Sequence, residues 1–72
     1  MIVWKATKID VTVIPTIYWA KRFKDKDDAI SYIKLDAKED GLKWQEPILN
    51  TEDKMIWNLG LVTFSIEKDI LN

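Results

Sequence analysis

Few side chains in this sequence are suited to covalent chemistry. The chain has no histidine and no cysteine, which removes the commonest general base, the thiolate nucleophile, disulfides and cysteine-ligated metals. Ser31 and Ser65, together with the lysines, leave only a Ser/Lys pair formally open as a nucleophile and base. Glycine occurs only at positions 41 and 60, so neither a phosphate-binding loop nor a dinucleotide fingerprint is present. We therefore predict a protein without enzymatic activity, catalytic residues or cofactor.

Asp25, Asp27 and Asp28 form an acidic cluster that could offer oxygen ligands to a divalent cation. Their spacing does not match that of a calcium loop. All three carboxylates fall in the first turn of a predicted helix, where capping and the positive end of the helix dipole account for them. We predict no metal site.

Aromatic residues are the most unusual part of the composition, with four tryptophans in 72 residues: Trp4, Trp19, Trp44 and Trp57. A core of this size has room for about two such side chains. Trp19 and Trp57 are the better candidates, because the apolar residues near them share their strand parity. The other two would then lie on a second, helix-free face of the sheet, or at its rim.

The helix-free face is the predicted binding surface. An exposed cluster of tryptophan, tyrosine and arginine has the composition of protein–protein hot spots. The predicted binding residues are Trp4, Tyr18, Arg22 and Trp44. The alternative is that both tryptophans of this set pack at the sheet rim and recognise nothing.

One helix is predicted over residues 25–42. Asp25 is placed to cap its N-terminus, and Gly41 can adopt the left-handed conformation that ends a helix, with Leu42 folding back towards Ala37. Helical spacing puts a narrow apolar stripe on one side: Ala29, Ile30, Ile33 and Ala37. Such a stripe must lie on a flat apolar surface.

The segments on either side of the helix read as strands, at residues 2–14, 16–23, 43–49, 54–59 and 61–67. From Thr7 the first segment alternates, with Ile9, Val11 and Val13 on one side and Lys8 on the other. Residues 14–16 are the predicted first turn, and Gly60 the predicted last one. The fold class is α+β: a small antiparallel β-sheet with one α-helix packed across one face, in ββαβββ order, as a single domain over residues 1–72.

Charge is unevenly distributed along the chain. Residues 1–26 carry a net charge of +4 and residues 27–72 a net charge of −5. Lys21, Arg22, Lys24 and Lys26 make the one basic run, but a single arginine and an acidic remainder argue against a nucleic-acid surface. No apolar run reaches the length of a membrane span, so we expect a cytoplasmic protein with no membrane partner.

The function predicted from these features is that of a small non-enzymatic interaction protein. It would bind a protein partner through the aromatic sheet face or an edge strand, with homodimer formation also open. Frequent lysine and isoleucine suggest an AT-rich genome, and an inhibitor of a host protein encoded by a phage or mobile element would have this size and composition. The alternative is a module that binds a nucleotide or single-stranded nucleic acid by stacking on Trp4, Tyr18 or Trp44.

Overall fold

The computed structural model describes residues 1–10 and 16–70. Five antiparallel strands form one sheet, in the spatial order β2-β1-β5-β4-β3. The strands are β1 (Ile2–Asp10), β2 (Thr16–Phe23), β3 (Leu49–Asn50), β4 (Lys54–Leu59) and β5 (Val62–Ile70), and the helix α1 (Lys26–Glu39) follows β2. The predicted α+β fold and its ββαβββ order are confirmed. Val11, Val13 and most of the turn at residues 14–16 lie outside the described residues.

Helix α1 begins and ends where its capping residues predict. Asp25 is the N-cap in an extended conformation, although its side chain makes no capping hydrogen bond. At the other end Gly41 has a φ of +71°. The Gly41 amide donates to the carbonyl of Lys38, and the Leu42 amide donates to that of Ala37. This pair of bonds is the Schellman motif.

The core lies between α1 and one face of the sheet. Ala29, Ile33 and Ala37 are the buried helix residues. They face a fully buried layer on the sheet, whose largest side chains are Trp57, Phe64 and Ile66. Small residues at two of the three buried helix positions bring the helix backbone close to these large side chains. The predicted inward parities of β4 and β5 are both confirmed.

The inward face of β1 was predicted wrongly. Lys8 is only 4% exposed and Ala6 is fully buried on the helix side, whereas the register puts Ile9 on the opposite face with Thr63. The prediction assumed that a lysine faces water. Its ammonium group is instead paired with two carboxylates of α1, Asp36 and Asp40, which allows the charged side chain to occupy an inward position.

Two further strand boundaries differ from the prediction. The strand expected at residues 43–49 is reduced to Leu49–Asn50, because Pro47 has no amide hydrogen for a ladder. Strand β5 continues to Ile70, which pairs with Ile2 of β1. Gly60 has a φ of +81° and lies in the two-residue loop between Leu59 and Val62, so the predicted tight hairpin is confirmed.

Candidate functional site

Strand β2 forms one edge of the sheet and is the longest exposed edge that the described residues offer. It pairs with β1 on one side only, while the opposite edge consists of the two-residue strand β3. An unpaired edge presents amide and carbonyl groups at alternate residues, ready to bond an added strand. The eight residues of β2 are therefore the longest unpaired strand edge in the described part of the chain.

A β-bulge in β2 changes the direction of one aromatic side chain along this edge. Lys8 pairs with Trp19 and Ile9 pairs with Ile17, so Tyr18 is the extra residue between the two pairs. The Tyr18 side chain is 65% exposed. Its ring centroid lies 4.8 Å from the Lys8 ammonium nitrogen. Tyr18 thus projects at the sheet edge and is not an element of the helix-free face.

Aromatic contacts with α1 hold β2 against the helix. The Tyr32 ring lies 5.1 Å from that of Trp19 in an edge-to-face arrangement and 5.3 Å from that of Phe23. The Lys21 ammonium sits 4.6 Å from the Tyr32 centroid, covering the ring on the helix side. A charged residue that points inward from an edge strand also discourages indiscriminate edge pairing.

A charge network centred on Lys8 also ties β2 to the helix at Trp19. The Lys8 Nζ donates to Asp36 Oδ1 at 2.7 Å and to Asp40 Oδ2 at 2.5 Å. The Trp19 indole Nε1 donates to the second oxygen of Asp36 at 2.9 Å. One carboxylate therefore joins β1, β2 and α1, and connects the edge strand to the structure behind it.

The same network favours the charged ammonium form of Lys8. Burial disfavours the charged ammonium, but the hydrogen bonds and charges of Asp36 and Asp40 outweigh it and raise the pKa of Lys8 above its ordinary value of 10.5. The Lys8 amine therefore stays protonated at neutral pH. A lysine amine must lose this proton before it can act as a nucleophile. Within residues 1–10 and 16–70, no group of three carboxylates is placed to hold a metal ion.

The outer face of the edge is positively charged at its helix-proximal end. Arg22 is 54% exposed and its Nε lies 3.5 Å from Asp69 Oδ2, across β1. Lys24 follows β2 directly and is exposed. Because an exposed ion pair is weak, Arg22 is available to a partner carboxylate.

The structure does not bring the four predicted binding residues together. Trp4 pairs with Phe23, packs against the core and has the Lys26 ammonium 5.1 Å from its ring. Trp44 also packs on the helix side, with its ring 5.5 Å from that of Trp57. The predicted aromatic patch on the helix-free face is therefore wrong. Tyr18 and Arg22 both lie on β2, but Tyr18 projects beside Lys8 and Arg22 lies on the helix-free face. Trp4 is beside the end of β2, and Trp44 is remote.

The helix-free face carries a row of charged side chains in place of the predicted aromatic patch. Cross-strand register aligns Arg22, Lys5, Glu67 and Lys54 in that order. All four tryptophans are on the helix side, since Trp4 shares the inward parity of Ala6, Trp19 pairs with Lys8, and Trp44 packs on the buried Trp57. The apolar Ile2, Trp4 and Ala6, on the parity opposite to Ile9, were the sequence signal for this face.

Comparison with known proteins gives no match: no family model, curated protein or solved structure is significantly similar to this chain. In the described residues, no helix is both long and apolar enough to cross a bilayer.

Proposed function

We propose that the protein is a small non-enzymatic interaction module that binds an extended segment of a partner protein along strand β2. The observation that carries the proposal is the unpaired eight-residue edge of β2, supported from behind by aromatic and ionic contacts. Strand addition of this kind takes its affinity from main-chain hydrogen bonds and its specificity from alternate side chains. An edge strand that is already held by contacts with α1 needs little further ordering on binding, which favours affinity.

The positive charge at one end of the β2 edge favours an acidic partner segment. Arg22 and Lys24 lie at the exposed end of the edge, in the half of the chain with a net charge of +4. An acidic extended segment would pair its carboxylates with them and be attracted during encounter. An inhibitor encoded by a phage or mobile element, acting in the cytoplasm on a host protein, fits this mode of binding. A second copy of the chain is the alternative occupant of the same edge.

Photo-crosslinking from the edge tests this proposal. A benzophenone side chain replaces Ala20, which is exposed and pairs with Thr7, and the protein is irradiated in bacterial lysate. The matched control carries benzophenone at Asn58, on the same sheet face in β4. We expect a protein adduct from position 20 alone. Arg22→Glu should reduce its yield, whereas Lys54→Glu, which reverses a charge in β4, should not.

Adduct mass separates the possible occupants. An adduct of about twice the chain mass identifies a homodimer, and a heavier protein identifies a distinct partner. A nucleic-acid adduct that disappears at high salt would instead support the stacking alternative, since neutralising phosphates releases counterions. Equal yields from positions 20 and 58 would contradict recognition at the β2 edge.

A further inference from the structure

A groove lies on the helix side of the molecule, where α1 ends. Its volume is about 500 Å³, and it is lined by two lysines and four small or apolar residues: Lys34, Ala37, Lys38, Gly41, Leu42 and Trp44. That volume falls in the range of protein ligand sites, about 300–1,000 Å³. The groove is shallow and open along one side, so it suits a segment of a larger chain better than an enclosed small molecule.

Local structure keeps this groove open. The Schellman motif turns the chain away at Gly41, and a Cβ built at that position would have nothing within 4 Å. Residues 43–47 then run without regular structure, and Trp44 forms the wall facing the helix. Its ring rests 5.5 Å from the buried Trp57 ring, which fixes the position of the wall.

The opposite wall carries positive charge. Lys34 and Lys38 are exposed, and neither takes part in an ion pair within the described residues. The Lys34 ammonium lies 5.6 Å from the Trp44 ring centroid, at the mouth of the groove. The two lysines are one helical turn apart, about 6 Å along the axis. Side chains two residues apart on one side of an extended peptide are separated by about 6.6 Å.

We propose that this groove binds an extended acidic peptide segment in which two carboxylates flank one large apolar residue. The Lys34 ammonium leaves the Trp44 ring, over which it lies in the free protein, so that the carboxylates at alternate positions pair with Lys34 and Lys38. The apolar side chain between them points the other way and packs on Trp44 and Leu42. Charge complementarity and the match between helical and strand spacing carry the proposal. It is independent of the β2 edge, which lies on the other side of α1.

Two isomeric peptides test the spacing. Acetyl-Gly-Glu-Phe-Glu-Gly-amide and acetyl-Gly-Glu-Glu-Phe-Gly-amide are titrated separately into ¹⁵N-labelled protein, and the tryptophan indole signals are followed by NMR. The Trp44 signal is identified by its loss in Trp44→Phe. We expect the Glu-Phe-Glu peptide to shift that signal saturably. It should bind about five- to tenfold more tightly than its isomer, the ratio for losing one or two exposed ion pairs.

Charge reversal provides the matched controls. Lys34→Glu and Lys38→Glu should each weaken binding of the Glu-Phe-Glu peptide, while Lys54→Glu should leave it unchanged. Unaltered signals from Trp4, Trp19 and Trp57 show that each variant is folded. Equal affinity of the two peptides, or an unchanged affinity in both groove variants, would overturn the proposal. So would a response centred on a tryptophan other than Trp44.

Discussion

Lys8 illustrates how one side chain can hold three elements together. Removing an ammonium group from water costs several kcal/mol, and the charge is tolerated only with good partners. Lys8 has two, Asp36 and Asp40, and the first also accepts from the Trp19 indole. An apolar residue at this position could pack at several helix registers, whereas the charged group bonds at one. We infer that Lys8 specifies where α1 lies on the sheet.

The Lys8 network should make stability depend on alkaline pH. Because the folded pKa of Lys8 is raised, its contribution is complete below pH 10.5 and is lost as the pH rises through the folded value. Lys8→Met should therefore cost about 1–3 kcal/mol at pH 8, since it leaves a carboxylate without its donor. Urea unfolding of both proteins from pH 8 to pH 11 measures the difference. A difference that stays constant or widens above pH 10.5 would contradict this role.

At the scale of elements, the sequence predicts where strands and the helix begin and end better than it predicts which face of a strand packs against the helix. The bounds of β2 and β4 and the helix end at Gly41 follow from alternation, periodicity and turn residues, which are local signals. The inward face of β1 does not, because it depends on carboxylates of α1 that are 28 and 32 positions away from Lys8. The mistaken aromatic face has a different cause, since Trp4 and Trp44 were assigned to it on the expectation that the core has room for about two tryptophans, whereas both pack against the core.

The helix C-terminus permits a clean test of backbone conformation. Gly41→Ala should destabilise the protein by about 1 kcal/mol, because its φ of +71° is unfavourable for a residue with a Cβ. The effect is conformational, since the added Cβ would contact nothing. Gly41→Asn should cost less, because asparagine tolerates the left-handed region. Thermal or urea unfolding measures both variants, and equal stability of wild type and Gly41→Ala would place the helix end elsewhere.

At the scale of the whole molecule, the helix separates the two proposed binding surfaces. Helix α1 covers one sheet face with every tryptophan behind or beside it, and leaves the β2 edge and the Trp44 groove on opposite sides. The candidate edge could be predicted as a strand from sequence, but not as an edge, since strand order is set by long-range pairing. The groove could not be predicted, because Trp44 lines it from a segment, residues 43–47, that was expected to be a strand and has no regular structure.

Amide hydrogen exchange tests recognition along β2 most directly. The protein is compared alone and in complex with the partner captured by crosslinking at position 20. Strand addition should slow exchange at alternate amides between Thr16 and Phe23, by about tenfold or more for each 1.4 kcal/mol of added local stability. The amides of Met55 and Ile56 in β4, which lie between β3 and β5, should change far less. Unchanged exchange in β2, with protection confined to another surface, would contradict the account.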